Sequence, residues 1–338
     1  MISVKSCALV IALVITAGLG AACSKTPTAP TPPPPPPPPV ANPPTLACVE
    51  GISRSTVNAG GVAVSYDTPP VTDGQGSVMV TCSPSSGETF PIGTTEVTCT
   101  ATDTLNRNGT CSFNVTVSKL AQLSRVRFLA FGDSITAGEV TAPVGGSIFG
   151  GPGLFHRQII VPTAAYPAVL ARTLQGRYSS QANQISVAND SVGGEKVIVA
   201  RNRYFQALNV VRPEAVLLLM GYNDIAKGED GAASGAANEM RIWVAEARNR
   251  GMRVFIATPT PGLANHGRTI DSFLLVDYAN RMRDIAARDG AVLVELYNTM
   301  LPDAQRYIGV DGLHPNEAGY AKIADLFFQA IQANLEVR

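Results

Sequence analysis

Charge is scarce in this chain and evenly balanced: 15% of its 338 residues are charged, and 26 basic residues offset 26 acidic ones. No long-range field therefore draws it to nucleic acid, and a nucleic-acid partner is not expected. Cysteine is missing after Cys111, and the six present form no close pair of the kind that zinc ligation needs, which argues against a metal site. Histidine is limited to His156, His266 and His314, so any imidazole base is one of three. The N-terminal apolar run, residues 8–15, is shorter than the roughly 20 residues that a membrane-crossing helix requires. Aromatic residues are few, while glycine (31) and proline (25) are frequent, a composition suited to long loops, a linker and a turn-rich β module. The length fits about two domains plus targeting sequence.

What is present begins with that targeting sequence. Lys5, the apolar run and small residues at 17–22 have the form of a signal peptide over residues 1–22. Small residues directly before Cys23 resemble a bacterial lipobox, although Gly20 occupies the position where leucine is usual and Leu19 stands one place too early. The resemblance implies acylation of Cys23, hence a membrane-anchored bacterial lipoprotein facing the periplasm or the cell exterior; simple cleavage and secretion is the other reading. Residues 23–45 then hold the lipidation site and a proline-rich linker, with eight consecutive prolines at 32–39. In polyproline II, at about 3.1 Å per residue, those eight span about 25 Å and make a stiff spacer.

Residues 46–118 carry short alternating or β-branched runs at 61–66, 77–82, 94–100 and 111–117, separated by turn clusters such as Thr72-Asp73-Gly74-Gln75-Gly76. This pattern predicts a small antiparallel sandwich. Four cysteines in an exported module read as a disulfide framework with three connectivities open. The blocks Cys82-Ser83-Pro84, Phe90-Pro91-Ile92-Gly93-Thr94-Thr95 and Val97-Thr98-Cys99-Thr100-Ala101-Thr102-Asp103 resemble a hyalin-repeat (HYR) domain. That resemblance implies an immunoglobulin-like fold and pairs Cys48 with Cys111 and Cys82 with Cys99. Such modules are associated with adhesion, so a surface ligand is one reading of this domain and a spacer or stabiliser the other.

From residue 126 to residue 338 the pattern changes. Apolar strand-like runs at 126–131, 184–188, 215–220, 253–258 and 291–296 alternate with helical stretches at 165–174, 201–210, 233–250, 270–288 and 316–335. Strand followed by helix, repeated five times, predicts a parallel sheet covered on both faces. In the last helix Ile323, Phe327, Ala330 and Ile331 recur at the spacing of one buried stripe. Ligands of such sheets sit at the carboxyl ends of the strands.

Chemistry-bearing residues stand at those ends. Gly132-Asp133-Ser134 follows the first strand, and although serine before a helix commonly serves as a cap, a hydroxyl here projects above the sheet edge. Asp311-Gly312-Leu313-His314 lets one short loop present a carboxylate and an imidazole together, the pair that a serine nucleophile needs. His156 and His266 lie in loops as ordinary surface residues. Asn189-Asp190-Ser191-Val192-Gly193-Gly194 and Gly221-Tyr222-Asn223-Asp224 supply a close-approaching backbone amide and a neutral side-chain amide, both suited to an oxyanion.

These four blocks, in this order and each after a strand, resemble the SGNH/GDSL hydrolases. The resemblance implies a flavodoxin-like three-layer α/β/α fold, Ser134 as nucleophile, Asp311 and His314 as its carboxylate and base, and oxyanion donors from the Ser134 amide, Gly194 and Asn223. One block departs from the family pattern, with Ser191 where many members have glycine and Gly193 where many have serine. The implied reaction is hydrolysis of a carboxylic ester through an acyl-enzyme, lysophospholipase-like or carbohydrate-acetylesterase-like, and requires no metal or organic cofactor. The competing reading is a non-catalytic cell-surface adhesion or scaffold protein with a hydrolase-like domain. Residues 139–162, rich in glycine with apolar Ile148, Phe149 and Leu154, read either as a lip over the acyl pocket or as a surface insertion.

Overall fold

The computed structural model describes residue 39 and residues 41–143 and 156–337. The signal sequence, Cys23, most of the proline-rich linker and the glycine-rich stretch 144–155 lie outside the described residues.

In the N-terminal module the alternation seen in the sequence becomes a two-sided sheet. Along Gly93–Thr102 the inward positions Val97, Cys99 and Ala101 are buried, and along Asn108–Lys119 so are Phe113, Val115 and Val117. The four-stranded sheet runs Ile52–Thr56, Asn108–Lys119, Gly93–Thr102, Met79–Ser83, with two short ladders, Thr45–Leu46 on Val71–Thr72 and Val62–Ala63 on Thr89–Phe90, beside it. Register places Cys82 opposite Cys99 and Cys99 opposite Cys111. Three cysteines thus lie in a row across the sheet. Cys82 bonds Cys99, and Cys111 bonds Cys48, so the chain closes loops of 17 and 63 residues. On the chain-entropy scale such loops are worth about 3 and about 4 kcal/mol, a large share of the stability of a core this small.

Two expectations need correction. The sheet is not wholly antiparallel, because Ile52–Thr56 pairs in parallel with Asn108–Lys119. That edge strand exposes Ser53, Arg54 and Ser55 and so carries no apolar alternation to announce it. The run at 61–66 contributes only Val62–Ala63, since Tyr66 leaves the ladder to donate its backbone amide to the Ser86 hydroxyl.

The second domain is built on five parallel strands in the spatial order Ser186–Ser191, Arg127–Gly132, Ala215–Leu219, Arg253–Ala257, Val292–Val294. Numbered along the chain this is 2-1-3-4-5, the flavodoxin-like order. All five residues of Ala215–Leu219 are buried, as a central strand covered by helices must be. The covering helices are Tyr166–Arg177, Arg201–Val211, Ala232–Asn249, Ser272–Asp289 and Glu317–Leu335. On the last of them Ile323, Phe327 and Ile331 are fully buried, Phe327 stacking on Tyr166 at 5.1 Å, while Ala330 is only half-buried at the margin of the stripe. Phe131, one residue before the strand end, packs edge-on against Tyr204 and Trp243.

An antiparallel hairpin, Glu139–Pro143 against His156–Ile160, follows the first strand and flanks the stretch 144–155. It was not expected from the sequence, whose glycine content there suggested irregular chain. The Ile148, Phe149 and Leu154 side chains named as a lip lie outside the described residues. The order 2-1-3 makes the first strand the point where successive connections diverge to opposite sides, and a crevice opens above its carboxyl end.

Candidate active site

The first strand delivers Ser134 into that crevice by a turn with no spare room. A Cβ on Gly132 would stand 2.3 Å from the Leu219 carbonyl oxygen, so only glycine lets the two strand ends close up. The helix Ser134–Ala137 is capped by Asp133, whose Oδ1 accepts from the Ile135 amide at 3.1 Å. Ser134 is therefore relieved of the capping role that serine at a helix start usually fills, and its hydroxyl faces the crevice. Its Oγ lies 2.9 Å from His314 Nε2, and His314 Nδ1 lies 2.6 Å from Asp311 Oδ2.

A single loop makes the other half of this chain. Asp311 Oδ1 accepts from the Leu313 and His314 amides, both at 3.0 Å, which closes the turn and leaves Oδ2 for the imidazole. Gly312 takes a φ of 83° within it. Burial pushes the Asp311 carboxyl up, but the His314 ring and the two backbone amides outweigh it and hold it below the usual carboxylate range. His314 and Asp311 are fully buried, whereas Ser134 keeps 8% of its surface open.

Candidate donors stand in the same cavity wall. Gly193, Gly194 and Asn223 line the same cavity as Ser134 and His314, a space of about 580 Å³. Gly221, at a φ of 121°, turns the chain from the third strand into the short helix that carries Asn223, and a Cβ there would meet the Tyr278 hydroxyl at 2.2 Å. Asn223 Nδ2 donates to the Glu195 carbonyl at 3.0 Å, which fixes the amide orientation and leaves its second N–H for another acceptor. Arg203 holds this loop to the strand ends. Its guanidinium donates to Glu195 Oε2 (Nε, 2.9 Å), to Asp190 and to the Gly132 carbonyl (3.2 Å) while lying 4.0 Å above the Phe131 ring. Asp224 completes the fastening by accepting from the Val197 amide at 2.9 Å.

The structure thus gathers Ser134, Gly194, Asn223 and His314 around one cavity, with Asp311 behind the imidazole. His266 is an exposed residue whose Nδ1 sits 2.7 Å from the Ala264 carbonyl oxygen; Cys23 and the His156 side chain lie outside what is described. Sequence reasoning missed Glu139, Gln158, Arg268 and Thr269 in the cavity wall. Glu139 follows the nucleophile by five residues, yet nothing local says which way its side chain points, and Arg268 arrives from 134 positions further along the chain than Ser134.

Asp133 is a further buried carboxyl beside this chemistry. Burial pushes it up to about 7, against the opposing pull of the Ile135 amide and of His314. Its Oδ2 has no hydrogen-bond partner among the described residues. The folded protein therefore holds this proton more tightly than the unfolded chain, whose aspartates titrate near a pH of about 4. The protonated carboxyl contributes its full stability below a pH of about 4, and the contribution is lost as pH rises toward the folded value. Asp133→Asn, neutral throughout, should flatten the fall of Tm over that interval; parallel Tm-against-pH curves for variant and parent would contradict this.

A nucleophile-type serine, an imidazole and a carboxylate at the switch point of a 2-1-3-4-5 parallel sheet define an α/β protein with the constellation of acyl-transfer enzymes. Comparison with known families narrows the class. Residues 130–322 match the model of the GDSL-like Lipase/Acylhydrolase family, more than half of the chain, and residues 41–117 match the HYR domain. The chain belongs to the GDSL-like lipase/acylhydrolase family, with an HYR domain preceding the family domain.

Among curated proteins it is similar to an acetylxylan esterase from Xylanibacter ruminicola, 27% identical over 88 residues. That match covers 26% of this chain and 18% of the length of that relative. Among solved structures it is similar to the lipase/acylhydrolase from Enterococcus faecalis (TM-score 0.49, 18% identity, 62% of this chain and 97% of that one). Another is an acetylxylan esterase from Geobacillus stearothermophilus (TM-score 0.46, 20% identity, 62% and 94%).

Proposed function

We propose that this protein is an exported serine hydrolase that cleaves carboxylic esters through an acyl-enzyme. The observation that carries the reading is the unbroken hydrogen-bond chain from Ser134 Oγ through His314 to Asp311, at 2.9 and 2.6 Å. In this reading Ser134 attacks the ester carbonyl while His314 Nε2 takes its proton and Asp311 steadies the imidazolium. The tetrahedral oxyanion is received by the Ser134 amide, the Gly194 amide and the Asn223 side chain. His314 then returns the proton to the departing alcohol and, in the second half, activates the water that releases the acid.

For the substrate, the described part of the cavity favours the carbohydrate-acetylesterase-like reading over the lysophospholipase-like one. Glu139, Gln158, Asn223, Arg268 and Thr269 dominate its wall, and Ala226, Ile270 and Leu313 are the apolar side chains among the described residues there. A long acyl chain gains affinity from apolar wall, at about 25 cal/mol per Å² buried, and this wall offers little. The acetylxylan esterase similarity supports the same reading. Export is supported by the signal-type N-terminus and by two disulfides, which persist in oxidising compartments. Acylated Cys23 would tether the enzyme to a membrane with the proline run as spacer.

Covalent capture of Ser134 by a fluorophosphonate, with hydrolysis of an activated acetate ester, tests the reading; no labelling of the folded protein would defeat it. Asn223→Ala should lower kcat by about 10²- to 10³-fold, the general cost of one oxyanion donor. KM should change little, since the interaction forms in the transition state. Rates across esters from acetate to palmitate should peak at the short end, and a palmitate optimum would reject the substrate assignment.

A further inference from the structure

Glu139 and Arg268 are charged side chains in the cavity wall that the reaction above does not use. The Glu139 backbone is held firmly: the carbonyl accepts from the Tyr320 hydroxyl at 2.5 Å, and the residue opens the Glu139–Pro143 strand opposite Ile160. The side chain is 13% exposed, with Oε1 3.8 Å from His314 Nε2 and 3.8 Å from an Arg268 guanidinium nitrogen. Oε2 lies 3.5 Å from the point where a Cβ on Gly193 would stand. Among the described residues no donor stands within hydrogen-bond distance of this carboxylate, which lines the cavity. Arg268 is fixed through its own backbone, which donates to the Asp311 carbonyl at 2.9 Å.

The position decides which part of a substrate these groups meet. When the tetrahedral intermediate collapses, the leaving oxygen must stand within about 2.6–3.2 Å of His314 Nε2 to receive its proton. A carboxylate just beyond that distance on the same nitrogen faces the carbon skeleton attached to the leaving oxygen, the alcohol side of the ester. A carboxylate only accepts hydrogen bonds and a guanidinium only donates them, whereas a hydroxyl does both. The two together accommodate a neutral hydroxyl. A cation on the alcohol would be repelled by Arg268 and an anion by Glu139.

We infer that Glu139 and Arg268 form the specificity-determining pair for the alcohol, reading a free hydroxyl adjacent to the ester, as in a partly acylated polyol or sugar. The inference rests on the ester-hydrolase reading and adds to it a named recognition element. A site built to bind a hydroxyl leaves its own polar groups unpaired when the hydroxyl is missing, and so rejects the deoxy analogue.

The test uses the full chain and two matched acetates, trans-2-hydroxycyclohexyl acetate and cyclohexyl acetate, with the ratio of their kcat/KM as readout. The parent should prefer the hydroxylated ester by about 10- to 100-fold, the range for a hydrogen bond to a charged group. Glu139→Ala should bring the ratio close to one and Arg268→Ala should lower it part of the way. The near-isosteric Glu139→Gln, which keeps one acceptor oxygen, should retain a part of it. An unchanged ratio in all three variants overturns the inference while leaving ester hydrolysis standing. An equal fall on both esters overturns it too, placing Glu139 on His314 or the hydrolytic water instead. A parent preference for acetylcholine, or for an acetate carrying a neighbouring phosphate, would overturn it by showing that the pair reads charge. Failure of the parent to cleave either acetate would remove the underlying reading as well.

Discussion

Ser134→Ala is expected to lower ester turnover about a millionfold, the scale seen when the nucleophile is removed from a cooperating serine, histidine and carboxylate set. The loss is this large because the remaining groups have nothing to act through: His314 has no hydroxyl to deprotonate and the oxyanion donors no covalent adduct to receive. Folding should survive. Ser134 caps nothing, since Asp133 does, and among the described residues its hydroxyl makes one side-chain hydrogen bond, to His314. Water can replace that partner through the open side of the cavity. Unaltered Tm with no turnover and no fluorophosphonate adduct is the expected triple result. A Ser134→Ala protein that still hydrolyses an activated ester at the parental rate would remove Ser134 from the chemistry.

Asp311→Asn is expected to cost about 10⁴-fold in kcat, as when the orienting carboxylate of such a set becomes an amide. The carboxylate accepts from Nδ1–H and so keeps Nε2 as the acceptor facing Ser134; an amide nitrogen in its place stabilises the other tautomer, which directs N–H at the nucleophile. The loop itself should persist, because the side-chain oxygen that the substitution retains can still accept from the Leu313 and His314 amides now bound by Oδ1. A companion effect concerns pH. The Asp311 carboxyl is held below its ordinary value, so the stability it contributes is present above the unfolded aspartate pKa of about 4 and is lost as pH falls through the folded value. Asp311→Asn should therefore lose part of the decline in Tm below a pH of about 4. A variant with parental kcat, or with an unaltered acid limb, would contradict the assignment.

These effects fall on residues that were legible in the sequence to different degrees, for physical reasons. Asp311 and His314 are three residues apart, so one turn settles their relation, and the spacing alone suggested the pair. Ser134 was recognisable as the end of a strand, but the fact that frees it, the Asp133 cap, depends on how the chain turns after Gly132. Gly194 and Asn223 stood out only in company with the other blocks, because each by itself is an ordinary turn. The parallel edge strand Ile52–Thr56 was missed because its residues carry no apolar alternation, and the hairpin begun by Glu139 because its two short strands border a glycine-rich stretch that reads as loop. Backbone pairing to a neighbour, which no local pattern encodes, makes them strands.

The sequence by itself determined the elements whose signals are local: the five alternating strand and helix pairs, the disulfide-rich β module, and four chemistry-bearing blocks in a set order. Periodicity and turn chemistry act over a few residues, so these could be read without coordinates. Only the tertiary structure decided the spatial strand order 2-1-3-4-5, the 2.9 Å approach of Ser134 to a histidine 180 residues away, and the 3.8 Å approach of Glu139 and Arg268 in the wall of the same cavity. Those relations arise when buried strands choose their neighbours, a choice made by the packing of the whole core.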